Sequence, residues 1–317
     1  MSFEFINLMN KKTLILGGLL VVLIALAYVY QGPLKKWQNN LGKPQNILAK
    51  IDITKIDKMK ITSGGKTIVL SKPSNVLAAP ASIKWKYNNA KDFYADPGLT
   101  SSALERLKQA ASSEPGLISN SQARKSEFKT DGAGLNVKIY QAEKKVADFT
   151  IGNRAGYSGS YISAPESPAT YLVKADLRGV FEPAEWRDLT IFSTAESALN
   201  KIRFQYPNRE FTVELKSDKW SGILPEKFTV NQEKIDKISR LMSDLKAREI
   251  PEQTFDNTGL DKHLIIIEAS GEGVDNVLMI GENQNGLYYA KKGDSDNIYL
   301  IDKSARDELD KWIWQLR

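Results

Sequence analysis

The sequence has no cysteine and a single histidine, His263. Disulfides, thiol nucleophiles and thiolate-ligated metals are thereby excluded at once, and histidine-based acid–base chemistry has one imidazole to work with. Runs of like charge are also missing. The formal charge of +6 is spread through 44 basic and 38 acidic residues, and basic residues cluster only as pairs such as Lys35-Lys36, Lys144-Lys145 and Lys291-Lys292. Nucleic-acid binders concentrate basic residues on one face or in one run, so no nucleic-acid partner is expected.

Long uncharged stretches are scarce too, which makes one of them informative. "TLILGGLLVVLIALAYVY", residues 13 to 30, carries no charge and as a helix would extend about 27 Å at 1.5 Å per residue. Lys11 and Lys12 precede it, and Tyr28, Tyr30, Lys35, Lys36 and Trp37 stand where interfacial anchors belong. Two readings stay open: an uncleaved transmembrane helix, and a signal peptide cleaved after Ala27 within "ALA". Bulky Tyr28, Val29 and Tyr30 favour the anchor. The expected order is then a tail (1–12), a transmembrane helix (13–30) through the inner membrane in a single pass, a polar linker (31–51), and extracytoplasmic domains.

Beyond the linker the chain repeats itself. "KTIVLSK" (66–72) matches "REFTVELKS" (209–217), Lys84-Trp85 matches Lys219-Trp220, and "LTSSALERLKQAASS" (99–113) matches "VNQEKIDKISRLMSDLK" (230–246). "TDGAGLNVKIYQA" matches "DNTGLDKHLIIIEA", "FTIGN" matches "LMIGE", and "TYLVKADLRGVF" matches "IYLIDKSARDEL". If Leu70 corresponds to Leu215, 14 residues separate it from Trp85 against 4 between Leu215 and Trp220, an insertion of ten around "PSNVLAAPAS". Two copies imply a duplicated domain, predicted over 52–192 and 193–317.

Within each copy, short β-branched and aromatic runs closed by glycine pairs read as antiparallel strands, as in "MKIT", Gly64-Gly65, "TIVL". Ile235, Ile238, Leu241, Met242 and Leu245 form one helical stripe behind an Asn231 N-cap. Leu104, Leu107 and Ala111 form a thinner one behind a Thr100 cap. A helix with one apolar stripe has to lie on the face of its own sheet, so the fold class is α+β: tandem copies of an antiparallel sheet with one main helix on a face.

This order of features resembles a bacterial family, the domain of unknown function 4340, over residues 52 to 317. The shared elements are a strand hairpin, a "KW" strand, a helix, "GL" before an apolar strand, an "IG" strand end and a "YL" strand before a short helix, behind an N-terminal membrane segment. Family members often have proline after "GL"; here Asn136 and Val137, and Asp261 and Lys262, follow instead. The resemblance implies no particular activity. Some members are similar to proteins encoded beside gliding-motility-type ABC transporter components, which implies an envelope partner.

The catalytic motifs are fragments. "SGGKTIV" has Lys60 where a phosphate-binding loop needs its first glycine. "DSDN" (294–297) is followed by Tyr299 and Ala305 where a calcium loop needs glycine and glutamate. "GYSGS" (156–160) has Ser160 in place of the second glycine of a nucleophile elbow, and "SEFK" (126–129) and "SDLK" (243–246) lack the partner motifs of Ser-Lys hydrolases. No catalytic residue, cofactor or metal is expected. The leading expectation is a non-enzymatic, membrane-anchored binding or accessory protein whose partner is another membrane or envelope protein. Tyr157, Tyr161, Tyr288 and Tyr289 are its candidate interaction patch, with cross-strand packing as the plainer role of those rings. The alternative is an extracytoplasmic hydrolase acting on glycan or lipid through a carboxylate pair.

Overall fold

The computed structural model describes residues 18–24, 28, 47–49, 51–73, 84–88, 93–252, 254–262, 264–293 and 295–317. Residues 1–12, much of the expected transmembrane segment 13–30, nearly all of the linker 31–51, residues 74–82 of the insertion, and His263 lie outside the described residues. Residues 18–24 and Tyr28 are helical. Among the described residues no helix is long and apolar enough to cross a membrane.

Two large antiparallel sheets and a few helices make up the remainder, an α+β arrangement. The first half contains β1 (Lys58–Ser63), β2 (Lys66–Ser71), β3 (Lys86–Tyr87), α1 (Pro97–Ser112), β4 (Gly116–Ser119), β5 (Leu135–Gln141), β6 (Lys144–Ala155), β7 (Gly159–Ser163), β8 (Thr170–Val173) and α2 (Leu177–Phe181). After β9 (Thr190–Ser193) the second half contains β10 (Leu199–Tyr206), β11 (Arg209–Lys216), β12 (Lys219–Leu224), β13 (Phe228–Thr229), α3 (Gln232–Ser243), β14 (Asp244–Lys246), β15 (Ile265–Gly271), β16 (Val274–Gln284), β17 (Leu287–Lys292), β18 (Ile298–Asp302), α4 (Lys303–Leu309) and α5 (Ile313–Leu316). The sheet orders are β3-β2-β1-β5-β6-β7-β8-β4 and β13-β12-β11-β10-β15-β16-β17-β18. From β3 to β8 and from β12 to β18 the two orders correspond strand for strand.

Hairpin registers explain the repeated sequence. Gly64 and Gly65, both at positive φ, make the two-residue turn that sets Ser63 opposite Lys66; in the second half Tyr206 faces Arg209 in the same way. Counting from these turns, Leu70 corresponds to Val213. Leu215 pairs with Trp220, and Lys72, whose ammonium lies 5.3 Å from the Trp85 ring centroid, stands in the matching place. Matching Leu70 with Leu215 is therefore corrected by two residues, and the insertion becomes eight: twelve residues between Lys72 and Trp85 against four between Leu215 and Trp220. A slip of two preserves which side chains face inward, which is why alternation did not reveal it.

The helices begin where their caps place them. Asn231 caps α3 as expected, accepting from the Lys234 N–H at 3.2 Å. The cap of α1 is Asp96, not Thr100: its carboxylate accepts from the Leu99 N–H at 2.9 Å, and Pro97 fills the first helical position, where no N–H is required. Thr100 is buried one turn inside, with Ala103, Leu107 and Ala110 on the same inward stripe. Helix α3 stops at Ser243, earlier than the periodicity predicts, because Asp244–Lys246 leaves it to pair with β9. Leu245 is buried from that strand.

Each sheet closes a core of its own. One runs from Leu48 to Trp186 and the other from Ile191 to Leu316, with Trp85 and Trp220 buried at corresponding places. The halves meet at a seam. Phe93 packs edge-on against Tyr299 at 6.0 Å, and the Arg187 guanidinium lies over Tyr87 and Phe93 while donating to Glu185 and to the Ile250 carbonyl. The chain through the seam is bonded on both sides. Trp186 and Asp188 exchange backbone hydrogen bonds with Asp96 and Tyr94, and Leu189 and Thr194 bond to Ala247 and Ser243.

Candidate functional site

Both sheets carry the same irregularity at the "IG" strand end. The β6–β7 ladder shifts between Ile151 and Arg154, and the β16–β17 ladder between Ile280 and Asn283. A loop crosses each bulge so closely that a Cβ on Gly152 would meet the Phe128 carbonyl oxygen at 2.1 Å, and one on Gly281 the Thr258 oxygen at 2.2 Å. The next residue, Asn153 or Glu282, donates its N–H to that same carbonyl at 2.8 Å. The ion pair beyond also recurs at the same spacing: Arg178 with Glu182 at 2.5 Å, Arg306 with Asp310 at 2.7 Å.

In the second half a cleft of about 370 Å³ opens beside this bulge, lined by Tyr206, Arg209, Glu282, Tyr288, Arg306 and Asp310 among others. Arg209 is held between two rings, 3.6 Å from the Tyr206 centroid and 4.1 Å from that of Trp312. Its guanidinium also donates to Asp310 at 2.5 Å, so one carboxylate serves both arginines. Tyr206 donates to the Leu309 carbonyl at 2.7 Å and accepts from the Lys311 N–H. Burial pushes its hydroxyl up to about 12, against the smaller opposing effect of the Lys311 hydrogen bond. Glu282 is paired with Lys262. Tyr206, Arg209, Glu282, Arg306 and Asp310 are thus all engaged with protein partners. A second cleft, of about 510 Å³, lies between α3 and the β11–β12 hairpin.

The four tyrosines have different surroundings. Tyr157 stands fully exposed at the β6–β7 turn, and Tyr161, on the same hairpin, packs 4.8 Å from Phe128. Tyr288 lies under the Arg306 guanidinium at 5.2 Å, and Tyr289 is buried with Leu260, Ile298 and Leu300. The first pair belongs to the first sheet and the second pair to the other. Adjacent on β17, Tyr288 and Tyr289 point to opposite faces of their strand.

The motif fragments have structural roles where they are described. Ser160 is buried and accepts from the Leu177 and Arg178 N–H groups at the start of α2. Ser126 bonds to the Ala123 carbonyl, and the buried lysine nearby is Lys125, whose ammonium donates to the Ala164 carbonyl. Desolvation pulls that lysine below its ordinary range. Among the described residues the carboxylates whose pKa departs from the ordinary value, Asp52, Asp148 and Asp307, are all lowered: at Asp148 burial opposes the shift but hydrogen bonds from Lys145 and Asn136 with nearby lysine charge outweigh it, and at Asp52 and Asp307 side-chain hydrogen bonds lead. Among the described residues no group of three or more acidic or imidazole side chains is placed to hold a metal ion.

The model of a family described as a domain of unknown function, DUF4340, matches residues 85–263 and 224–314. The chain belongs to the DUF4340 family. No curated protein and no solved structure matches it. The DUF4340 matches take in both "IG" bulges and most of the lining of both clefts. The repeated "IG" strand ends were read from the sequence; the Arg–carboxylate pairs were missed, although their i, i+4 spacing is the signal that could have found them. The Arg209 stack was not, because it joins residues about a hundred positions apart.

Proposed function

We propose that this DUF4340 chain is a non-enzymatic, single-span protein of the bacterial inner membrane. In this reading, tandem copies of one α+β domain, 52–192 and 193–317, are held on the extracytoplasmic side by a helix over 13–30 and a linker over 31–51. The proposed role is that of a binding or accessory subunit for another membrane or envelope protein, an ABC-transporter or gliding-motility complex being the kind that the family resemblance suggests. The observation that carries the reading is the uncharged run 13–30 ahead of two folded halves. The spent polar groups of the Arg209 cleft support binding over reaction: Asp310 pairs with both arginines, and the Tyr206 hydroxyl is taken up by the Leu309 and Lys311 backbone.

Protease added to intact spheroplasts is expected to remove the folded halves and leave a small anchored fragment. Crosslinking followed by capture from intact membranes is expected to recover a membrane-complex component. Full protection of the halves would reverse the orientation, and a soluble form beginning at Tyr28 would remove the anchor.

A further inference from the structure

The cleft between α3 and the β11–β12 hairpin has a floor of Leu215 and Trp220 and a rim bearing Glu196, Asp218 and Asp236. Three carboxylates alone would be a solvated edge. The second observation is Ser239, which lines the cleft from α3, is only 3% exposed, and whose hydroxyl has no hydrogen-bond partner among the described residues. The side chain is otherwise enclosed, so its hydroxyl, which is not among the sealed-off unpartnered atoms, opens only toward the cleft, where an occupant could bond to it. Among the described residues the cation paired to the rim is Arg240, an exposed side chain 3.6 Å from Glu196.

The first half shows what the same place looks like when filled. The tryptophans Trp85 and Trp220 and the helix caps Asp96 and Asn231 are both 135 residues apart, so Ser239 corresponds to Leu104 and Asp236 to Ser101. The short 3₁₀ turns before the first strands, Ile53–Lys55 and Glu196–Ala198, bring Ile53 to the place of Glu196. There, Lys72 from the chain itself lays its ammonium over Trp85 at 5.3 Å, and Leu104 packs onto the core. In the second half Leu215 replaces that lysine. The indole floor stays, no cation of the described residues lies over Trp220, and acidic and hydroxyl groups surround the space.

We infer that this cleft is a docking site for a lysine-bearing segment of a protein partner, the ammonium lying over Trp220 within reach of the carboxylate rim and the lysine stem on Leu215. Ring quadrupole and carboxylates favour the same charge, and Ser239 presents an oxygen that an ammonium can donate to. The inference rests on the reading of the chain as a binding protein, and it specifies the chemistry that the partner presents.

The test uses the full chain in lipid nanodiscs, titrated with acetyl-Ala-Lys-Ala-amide and followed by tryptophan emission. Trp220→Phe identifies the responding residue among the six tryptophans. The lysine peptide is expected to saturate, and its glutamine counterpart to give no saturable response. Asp218→Asn with Asp236→Asn should weaken binding about tenfold, the scale of a desolvated cation–π contact with its charge partners. Ser239→Leu, which installs the first half's residue, should block the site. Circular dichroism of each variant confirms the fold, and the surface carboxamide pair carries the test should Ser239→Leu misfold. Equal responses to the two peptides, or unchanged affinity in the carboxamide variant, would overturn the inference. Putrescine binding as tightly as the peptide would overturn the assignment to a protein segment. Capture of a partner from membranes together with no lysine response sinks the cleft alone; a lysine response without any captured partner counts against the partner reading and leaves the cleft assignment standing.

Discussion

At Gly152 and Gly281 one methyl group is enough to separate a loop from its strand. The crossing carbonyl sits where a Cβ would be, and the neighbouring N–H depends on that carbonyl for its hydrogen bond. Gly281→Ala should therefore cost about 1 to 3 kcal/mol, the range for forced overpacking. Gly116→Ala, with open space around its Cβ, should stay within about 0.5 kcal/mol, as surface changes do. Urea denaturation of both variants checks the contrast, and equal effects would discredit it. Tyr206 makes a second prediction at this scale. The folded chain keeps the phenol proton up to about pH 12, whereas the unfolded chain releases it near 10. Between those values the folded state binds more protons, so this group's stabilisation is complete below pH 10 and is lost as pH rises to 12. The loss is on the order of 2 to 3 kcal/mol. Tyr206→Phe should flatten that part of the stability–pH curve, and should cost about 1 to 3 kcal/mol at neutral pH because the Leu309 carbonyl loses its donor. A curve with the same slope from pH 10 to 12 in both proteins would contradict this assignment.

Helices and hairpins were legible in the sequence to the extent that their signals are local. The glycine pair at 64–65, the Asn231 cap and the Ile235, Ile238, Met242 stripe each act within a turn or two of chain, and each is where the pattern placed it. The α1 cap is a local signal, an aspartate before a proline at the first helical position, with Thr100 a turn further on as its competitor. The other misreading involves a distant partner: the run through Leu245 looks helical until β9 claims it. The clefts were illegible for the same reason: Arg209 meets Trp312 about a hundred positions on, and Trp220 shares its cleft with Glu196 and Ser239, which come from other elements. Relocating the α1 cap has a measurable consequence. Asp96→Ala should lower stability by about 1 kcal/mol, as lost N-caps do, and helical circular dichroism should lose its melting midpoint in parallel. If Asp96→Ala melts like the parent, the cap has been misassigned.

Two cores of similar extent would unfold separately if only a flexible linker joined them. Here Phe93 from the first half packs against the second core, and Arg187 is shared between rings of one half and a carbonyl of the other. Calorimetry of the parent should show one main transition. Phe93→Ala with Arg187→Ala should separate it into two, by removing the edge-on ring contact and the shared guanidinium. A single transition persisting in the double variant would show that backbone pairing alone couples the halves.

That pairing also has a mechanical side. From Trp186 to Thr194 the connecting chain is hydrogen-bonded first to one half and then to the other, leaving no unbonded length between the sheets. A pull on the second half would reach the first without slack to absorb it. The strands β9 and β14 would bear the load as a short clasp, so that tension at one end of the molecule is delivered to the other as displacement rather than spent in straightening a tether.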